Sequence, residues 1–232
     1  MSIGDLLRSA VDSALDVALP ARCVGCRREG DPICAECRPA LDARLDLPSG
    51  VPIGLASEIP APLLQLEWCA SFGGVVRNAL HELKYAGERR LARWLGEAVA
   101  RRWARAGAGG DLLVPVPVHR DRARERGYDQ AVLIAEAASS VLGVPCAPLL
   151  HRSRATAPQF ELGRPDRAAN VEGAFRLVAG APSDRGSRPL AGRWIVLVDD
   201  VMTTGATLVA CASPLLDAGA LGVSAVTVAR ER

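Results

Sequence analysis

Two clusters in the sequence hold side chains whose types and spacing can do chemistry. The first is "CVGCRREGDPICAEC", where Cys23, Cys26, Cys34 and Cys37 form two C-x-x-C pairs. Each pair offers two sulfurs to one ion, and the turn formers Gly30, Asp31 and Pro32 let the second pair fold back to close a tetrahedron. A segment this short buries too little apolar surface to order itself, so bound metal would supply its stability. Four thiolates leave no open position on Zn2+, which makes the site structural; a redox pair is the competing reading.

The second cluster is "WIVLVDDVMTTGATL", residues 194–208. The unalternating run Ile195–Val198 reads as a parallel strand covered on both faces. Asp199 and Asp200 follow, then Thr203, Thr204, Gly205, Ala206 and Thr207 in a turn that opens a helix. Backbone N–H groups at a helix start, with neighbouring hydroxyls, receive a phosphate dianion, and Gly205 permits close backbone approach. Carboxylates repel phosphate but accept hydrogen bonds from vicinal hydroxyls, at roughly 1.5–3 kcal/mol each. Diol acceptors beside a phosphate loop describe a receptor for ribose 5-phosphate. Two other readings compete. The acidic strand end of a P-loop ATPase would need G-x-x-x-x-G-K-[ST], and the chain's only lysine, Lys84, stands in "ELKYAGE". Asp200 acting merely as a helix cap would account for one carboxylate and leave the other unexplained.

The elements that must position these groups follow from pattern. Strand-like runs at 66–72, 112–118, 194–198 and 223–229 alternate with helical ones at 75–87, 88–107, 126–143 and 207–220; 170–178 reads as a strand or hairpin. That alternation predicts an α/β domain with a parallel sheet flanked by helices. Ligands bind such sheets beyond the carboxyl ends of the strands, where Asp199 and Asp200 stand. The expected organisation is an N-terminal helix and four-cysteine module over 1–40, a Pro/Gly-rich linker over 41–62, and the α/β domain over 63–232. Cys69, Cys146 and Cys211 lie in apolar contexts and read as core residues.

A chain of 232 residues suits one such domain with a small appendage. No apolar run is long enough to cross a bilayer, and Asp5, Asp12 and Asp16 interrupt the first 20 residues, which read as a docking helix and not a signal peptide. The expected location is therefore cytoplasmic, with reduced thiols and no integral membrane association. Net charge is only +2, but arginines concentrate at 101–126 and 151–167. Because arginine replaces lysine almost throughout, only arginines beside a motif carry weight.

The motifs together resemble a known family. "IVLVDDVMTTGATL" is similar to the phosphoribosyl pyrophosphate (PRPP) signature of type I phosphoribosyltransferases. The four-cysteine module, "LKYAGERRLARWLG", "VPVPVHRDRARERGYDQA" and "RATAPQFELGRPDRAANVEGAF" extend the resemblance to the ComF family of competence-associated proteins. The resemblance implies a type I phosphoribosyltransferase fold with a small zinc-ribbon-like module and a hood. It implies that Asp199 and Asp200 hold the ribose hydroxyls of PRPP, that Thr203–Thr207 hold its 5-phosphate, and that Val118, His119 and Arg120 meet pyrophosphate. It further implies Mg2+ between pyrophosphate and ribose oxygens, and possible ligand contacts from Arg124, Arg126, Tyr128 and Gln130. Arg152 and Arg154, with Thr156 and Gln159, match a segment that closes over pyrophosphate. For His119 a plain loop role competes with a chemical one, and for the 124–130 group a helix start with solvated arginines competes with ligand contact. Two functions stay open: transfer of phosphoribosyl from PRPP to an unidentified acceptor, or a non-catalytic competence factor that binds single-stranded DNA or partner proteins.

Overall fold

The computed structural model describes residues 21–48, 60–106, 109–153, 173–178 and 190–231. The predicted helix within 1–20, residues 49–59 of the predicted linker, and Arg154, Thr156 and Gln159 lie outside these residues.

Four parallel strands form the central sheet. They are β3 (Leu63–Ser71), β4 (Leu112–Pro115), β7 (Trp194–Met202) and β8 (Gly222–Arg230), in the order β3-β8-β7-β4. Two small antiparallel pairs flank it: β1 (Ala21–Arg22) with β2 (Glu29–Gly30), and β5 (Leu150–Arg152) with β6 (Phe175–Leu177). The helices are α1 (Gly74–His81), α2 (Leu91–Ala106), α3 (Arg120–Arg126), α4 (Gln130–Leu142) and α5 (Ala206–Asp217).

Strand parity sorts the core into two layers. Val196 and Val198 face one side and pack with Leu95 and Val99 of α2 and Ile134 of α4. Ile195 and Leu197 face the other side, with Leu208 and Leu215 of α5 and Phe175 of β6. Ile195, Val196, Leu197 and Val198 are all fully buried, each worth roughly 1.5–3 kcal/mol of transfer free energy. This is why the run lacks alternation in its sequence.

Several element bounds differ from the sequence-based expectation. β4 closes at Pro115: Val116 N–H still reaches the Val198 carbonyl at 2.9 Å, but the next amide on that side, Val118 N–H, turns to Asp129 Oδ2 at 3.0 Å in place of β7. The predicted helix 126–143 begins later, at Gln130 (α4), and a separate short helix, α3, precedes it over Arg120–Arg126. Asp129 caps α4 by accepting from Ala131 N–H at 2.9 Å and Val132 N–H at 3.4 Å, while Gly127 ends α3 in a left-handed conformation. The predicted helix 75–87 changes character midway, running as a π-turn over Glu82–Ala86 before Gly87 stops it.

Residues 41–48 pack against the domain. Leu41 is fully buried, and the fully buried Arg102 of α2 donates to the carbonyls of Arg44 and Leu47, each at 2.7 Å. Arg102 Nε also meets Glu67 Oε2 of β3 at 3.0 Å, so one guanidinium ties this segment, helix and sheet together. Cys69 and Cys211 are buried as predicted; Cys146 is half-buried.

Candidate functional site

β7 continues through both aspartates to Met202, pairing Asp199 with Thr227 and Val201 with Ala229 of β8. The two carboxylates therefore do not stand side by side. Alternation sends Asp199 to the α5 side of the sheet and Asp200 to the α4 side.

Asp199 is half-buried and lines a shallow, open cleft with residues 201–208. The cleft floor is the turn Thr203–Gly205, where Gly205 takes φ +82° and caps α5. That conformation excludes most side chains, and a Cβ here would also press on Pro60 at 3.3 Å. Thr204 Oγ1 accepts from Ala206 N–H, the first amide of α5, at 3.4 Å, and the N-cap residue Gly205 has no side chain to add a cap. Hydroxyls and a helix start converge on one opening with one carboxylate at its edge.

Asp200 is 5% exposed and internally satisfied. Its Oδ2 accepts from Lys84 Nζ at 2.7 Å and Gln130 Nε2 at 2.9 Å, and its Oδ1 from Val201 N–H at 2.6 Å. Burial alone would push its pKa up; the Lys84 charge and these hydrogen bonds hold it below the usual carboxylate range. Asp199 goes the other way. Burial, then the neighbouring Asp200 charge, raise its pKa well above that range. In Lys84 the Asp200 charge and bond overcome burial and raise the ammonium's pKa.

Around this pair the motifs converge. The π-turn carries Lys84, and the Tyr128 hydroxyl donates to the Leu83 carbonyl beside it. Gln130, 4% exposed, receives Arg126 Nη1 on its Oε1 at 2.8 Å while its amide serves Asp200. Arg126 also lies over the Tyr85 ring at 5.2 Å, and Arg89 over Tyr128 at 4.5 Å. Gln130 and Tyr128 thus hold other protein groups, and Arg124 is an exposed residue of α3. Val118 N–H donates to Asp129 Oδ2 at 3.0 Å, which fixes the turn after β4 to the head of α4. Within that turn His119 caps α3 through Nδ1, accepting from Asp121 N–H at 3.4 Å, and Arg120 is exposed. Arg152 lies in β5 with its guanidinium over Phe175 at 5.5 Å, facing the Asp199 side.

Lys84 is the site residue that sequence reasoning did not assign. One signal was available: in a chain that writes arginine elsewhere, the single lysine marks a place for a compact point charge and not a planar fork.

The four cysteines gather as their spacing predicts. Their Sγ atoms all lie within 4.8 Å of one another, and Cys26 and Cys34 are 3.6 Å apart. A tetrahedron with metal–sulfur bonds of about 2.3 Å has edges of about 3.8 Å, so the donor set fits a four-coordinate structural metal. Burial raises the Cys23 thiol's pKa, but N–H bonds from Cys34, Cys26 and Gly25 outweigh it and lower the thiol to about 6, while the hydrogen bond to Cys23 pushes the Cys37 thiol up to about 12, so Cys23 is the sulfur these contacts favour as thiolate. The knuckle seats on α1 through Asn78 Nδ2 to the Val24 carbonyl at 3.0 Å.

A parallel sheet with a Thr/Gly phosphate-type loop and an acidic pair at the carboxyl end of a central strand defines the type I phosphoribosyltransferase fold class. The family model described as "Phosphoribosyl transferase domain" matches residues 129–232. The "DNA utilization protein YhgH" of Escherichia coli (strain K12) is 30% identical over 208 residues, covering 87% of this chain and 85% of that protein. "Competence protein ComFC" of Bacillus subtilis is 32% identical over 120 residues, 51% of this chain and 44% of that one. "Competence protein F" of Haemophilus influenzae is 34% identical over 99 residues, 42% and 41%. The chain belongs to the ComF family of phosphoribosyltransferase-like proteins. The matched domain begins at Asp129, so the four-cysteine module and the Lys84 turn lie outside it.

Proposed function

We propose that this protein binds PRPP, with Mg2+, in the cleft at the end of β7 and transfers its phosphoribosyl group to an acceptor, releasing pyrophosphate. The observation that carries this reading is the convergence of Asp199, the Thr203–Thr207 turn and the start of α5 on one opening. In it the turn's hydroxyls and N–H groups hold the 5-phosphate, and Asp199 accepts from the ribose diol, while Asp200, closed off by Lys84 and Gln130, braces the strand end from the other side of the sheet and not as the ligand contact expected of it. Val118–Arg120 meet pyrophosphate, with Arg152 on the same side of the sheet as Asp199. Bound Mg2+ would neutralise the pyrophosphate as it leaves. The chain's residues contribute position and arginine charge at the bond from ribose C1 to pyrophosphate, where positive charge develops on the ring. Tyr128 and Gln130 support the site from behind, and the four cysteines hold Zn2+ as a structural ion. The protein works in the cytoplasm. Incubating the metal-loaded chain with PRPP, Mg2+ and a panel of nucleobases, amines and nucleosides should release pyrophosphate with at least one of them. Release with none, by a protein that binds PRPP, would reduce the function to ligand sensing.

A second reading is favoured by one surface. Tyr85 is 68% exposed beside Arg126, and α3 offers further exposed arginines, a combination suited to stacking bases and tracking phosphates. The names of the relatives point to DNA utilisation and competence. In this reading the chain escorts single-stranded DNA or partner proteins during uptake. Oligonucleotide affinity should then fall steeply with salt and drop in Tyr85→Ala/Arg126→Ala; salt-insensitive or absent binding would remove this reading.

A further inference from the structure

Lys84 presents a problem of charge balance. Two carboxylates stand on adjacent residues of one strand, and the Asp200 side chain is nearly closed from water. Left alone, such a pair takes up a proton, and a protonated carboxyl is a donor where a diol needs an acceptor. Among the described residues, the groups that face Asp200 are Lys84 from the π-turn, Asp129 and Gln130 at the head of α4, and Asp199 on its own strand; Tyr85 acts on Lys84. Arg152 of β5 and Cys211 of α5 face Asp199 on the opposite side of the sheet. On the Asp200 side the cation in contact is Lys84, at 2.7 Å.

The π-turn explains how it reaches. A π-turn inserts a residue into an α-helix and re-aims its side chains, a feature found often at functional sites. Here it exposes the Leu83 carbonyl to Tyr128, which pins the turn, and directs the next residue, Lys84, at the end of β7. The second oxygen of Asp200 receives Val201 N–H, the first amide on the path to Thr203. The ammonium therefore orders a carboxylate that in turn fixes the backbone entering the phosphate turn.

We propose that Lys84 is a positioning residue of the ribose-phosphate site: its buried ammonium keeps Asp200 an anion and so holds the acidic pair and the following turn ready for ligand. This rests on the reading of the cleft as a PRPP site. Without the ammonium, Asp200 is drawn toward the protonated form as Asp199 already is, and binding must first remove that added proton.

The test is calorimetric titration of the full, metal-loaded chain with PRPP and Mg2+ between pH 7 and 9, for wild type, Lys84→Met and Lys84→Arg. The quantity read is the ratio of variant to wild-type affinity, in which the ligand's own protonation cancels. Lys84→Met should bind about tenfold more weakly at pH 7 and close most of that gap by pH 9. Lys84→Arg, which keeps the charge, should show a pH-independent ratio. A Lys84→Met ratio that stays constant with pH, or equals one throughout, overturns the proposal. If Lys84→Met does not fold, Lys84→Met/Asp200→Asn removes both buried charges; a pH-independent ratio for it supports the proposal, and a ratio still rising with pH contradicts it. Silence from the wild type as well would sink the PRPP reading itself, an outcome distinct from loss in the variant alone.

Discussion

At the scale of single residues, the site is governed by two carboxylates that share a strand and not an environment. Asp199 has its pKa raised in the folded chain, so the stability it contributes is complete below the ordinary carboxylate value and is lost as pH rises through the raised one. Asp200 has the opposite sign. Its contribution is present above the ordinary value and is lost as pH falls through the depressed one. Asp199→Asn should therefore raise Tm at pH 7–8, with a gain that shrinks toward pH 4, each kcal/mol being worth roughly 2–4 °C at this chain length. Asp200→Asn, which leaves Lys84 facing a neutral amide, should lower Tm across the same range. Thermal melts of both variants from pH 4 to 8 check the signs; a destabilised Asp199→Asn at pH 8 would refute this assignment of charge. If ligand binding is lost in the variant that becomes more stable, Asp199 is retained for function at a cost in stability.

At the scale of elements, two attachments set the geometry. Arg102 and Glu67 form a pair with both side chains 1% exposed, and Arg102 also holds the carbonyls of residues 44–48. Removing one partner strands a buried charge, so Glu67→Ala or Arg102→Met alone should cost about 3–5 kcal/mol in urea unfolding, and the double variant less than the sum. The other attachment is the cysteine knuckle on α1. A Cβ on Gly25 would sit 2.6 Å from Cys37 Sγ and 2.9 Å from Val75 Cγ2. Gly25→Ala should therefore release metal at lower chelator concentration than wild type, measured by a colorimetric zinc assay; unchanged release would show that the knuckle can shift. Elements differ in how legible they were. The β7 run and the cysteine pairs announce themselves because a covered strand and a tetrahedral donor set impose strict patterns on sequence. The separate helix α3 ahead of α4 was less visible: Gly127 and Asp129 were there to be read as stop and cap, but the hydrophobic pattern spoke only for α4. The π-turn over 82–86 leaves no periodic mark at all, because one inserted residue looks like ordinary helix.

At the scale of the whole molecule, the topology turns neighbours in sequence into opposites in space and brings distant segments together. Asp199 and Asp200 read in sequence as one acidic unit, and only the pleat of β7 shows one at the cleft and the other closed off by the Lys84 turn. Conversely, Lys84, Gln130 and Asp200 are spread over more than a hundred residues yet meet at one oxygen atom. Pairings of that kind depend on strand order β3-β8-β7-β4 and on the crossover helices, which local propensity does not encode. The zinc proposed at the four cysteines makes a prediction at this scale: chelation should lower Tm and expose α1, with one equivalent of zinc per chain restoring both; Cys23→Ser/Cys34→Ser retaining zinc would overturn that assignment.

The measurement that bears most directly on the central claim is calorimetric titration of the purified chain with PRPP, with and without Mg2+, beside an Asp199→Asn/Asp200→Asn variant. Saturable binding that needs Mg2+ and vanishes in the variant is the expected result. A folded, zinc-loaded wild type that takes up no heat from PRPP would contradict the account and leave the acidic strand end as scaffold.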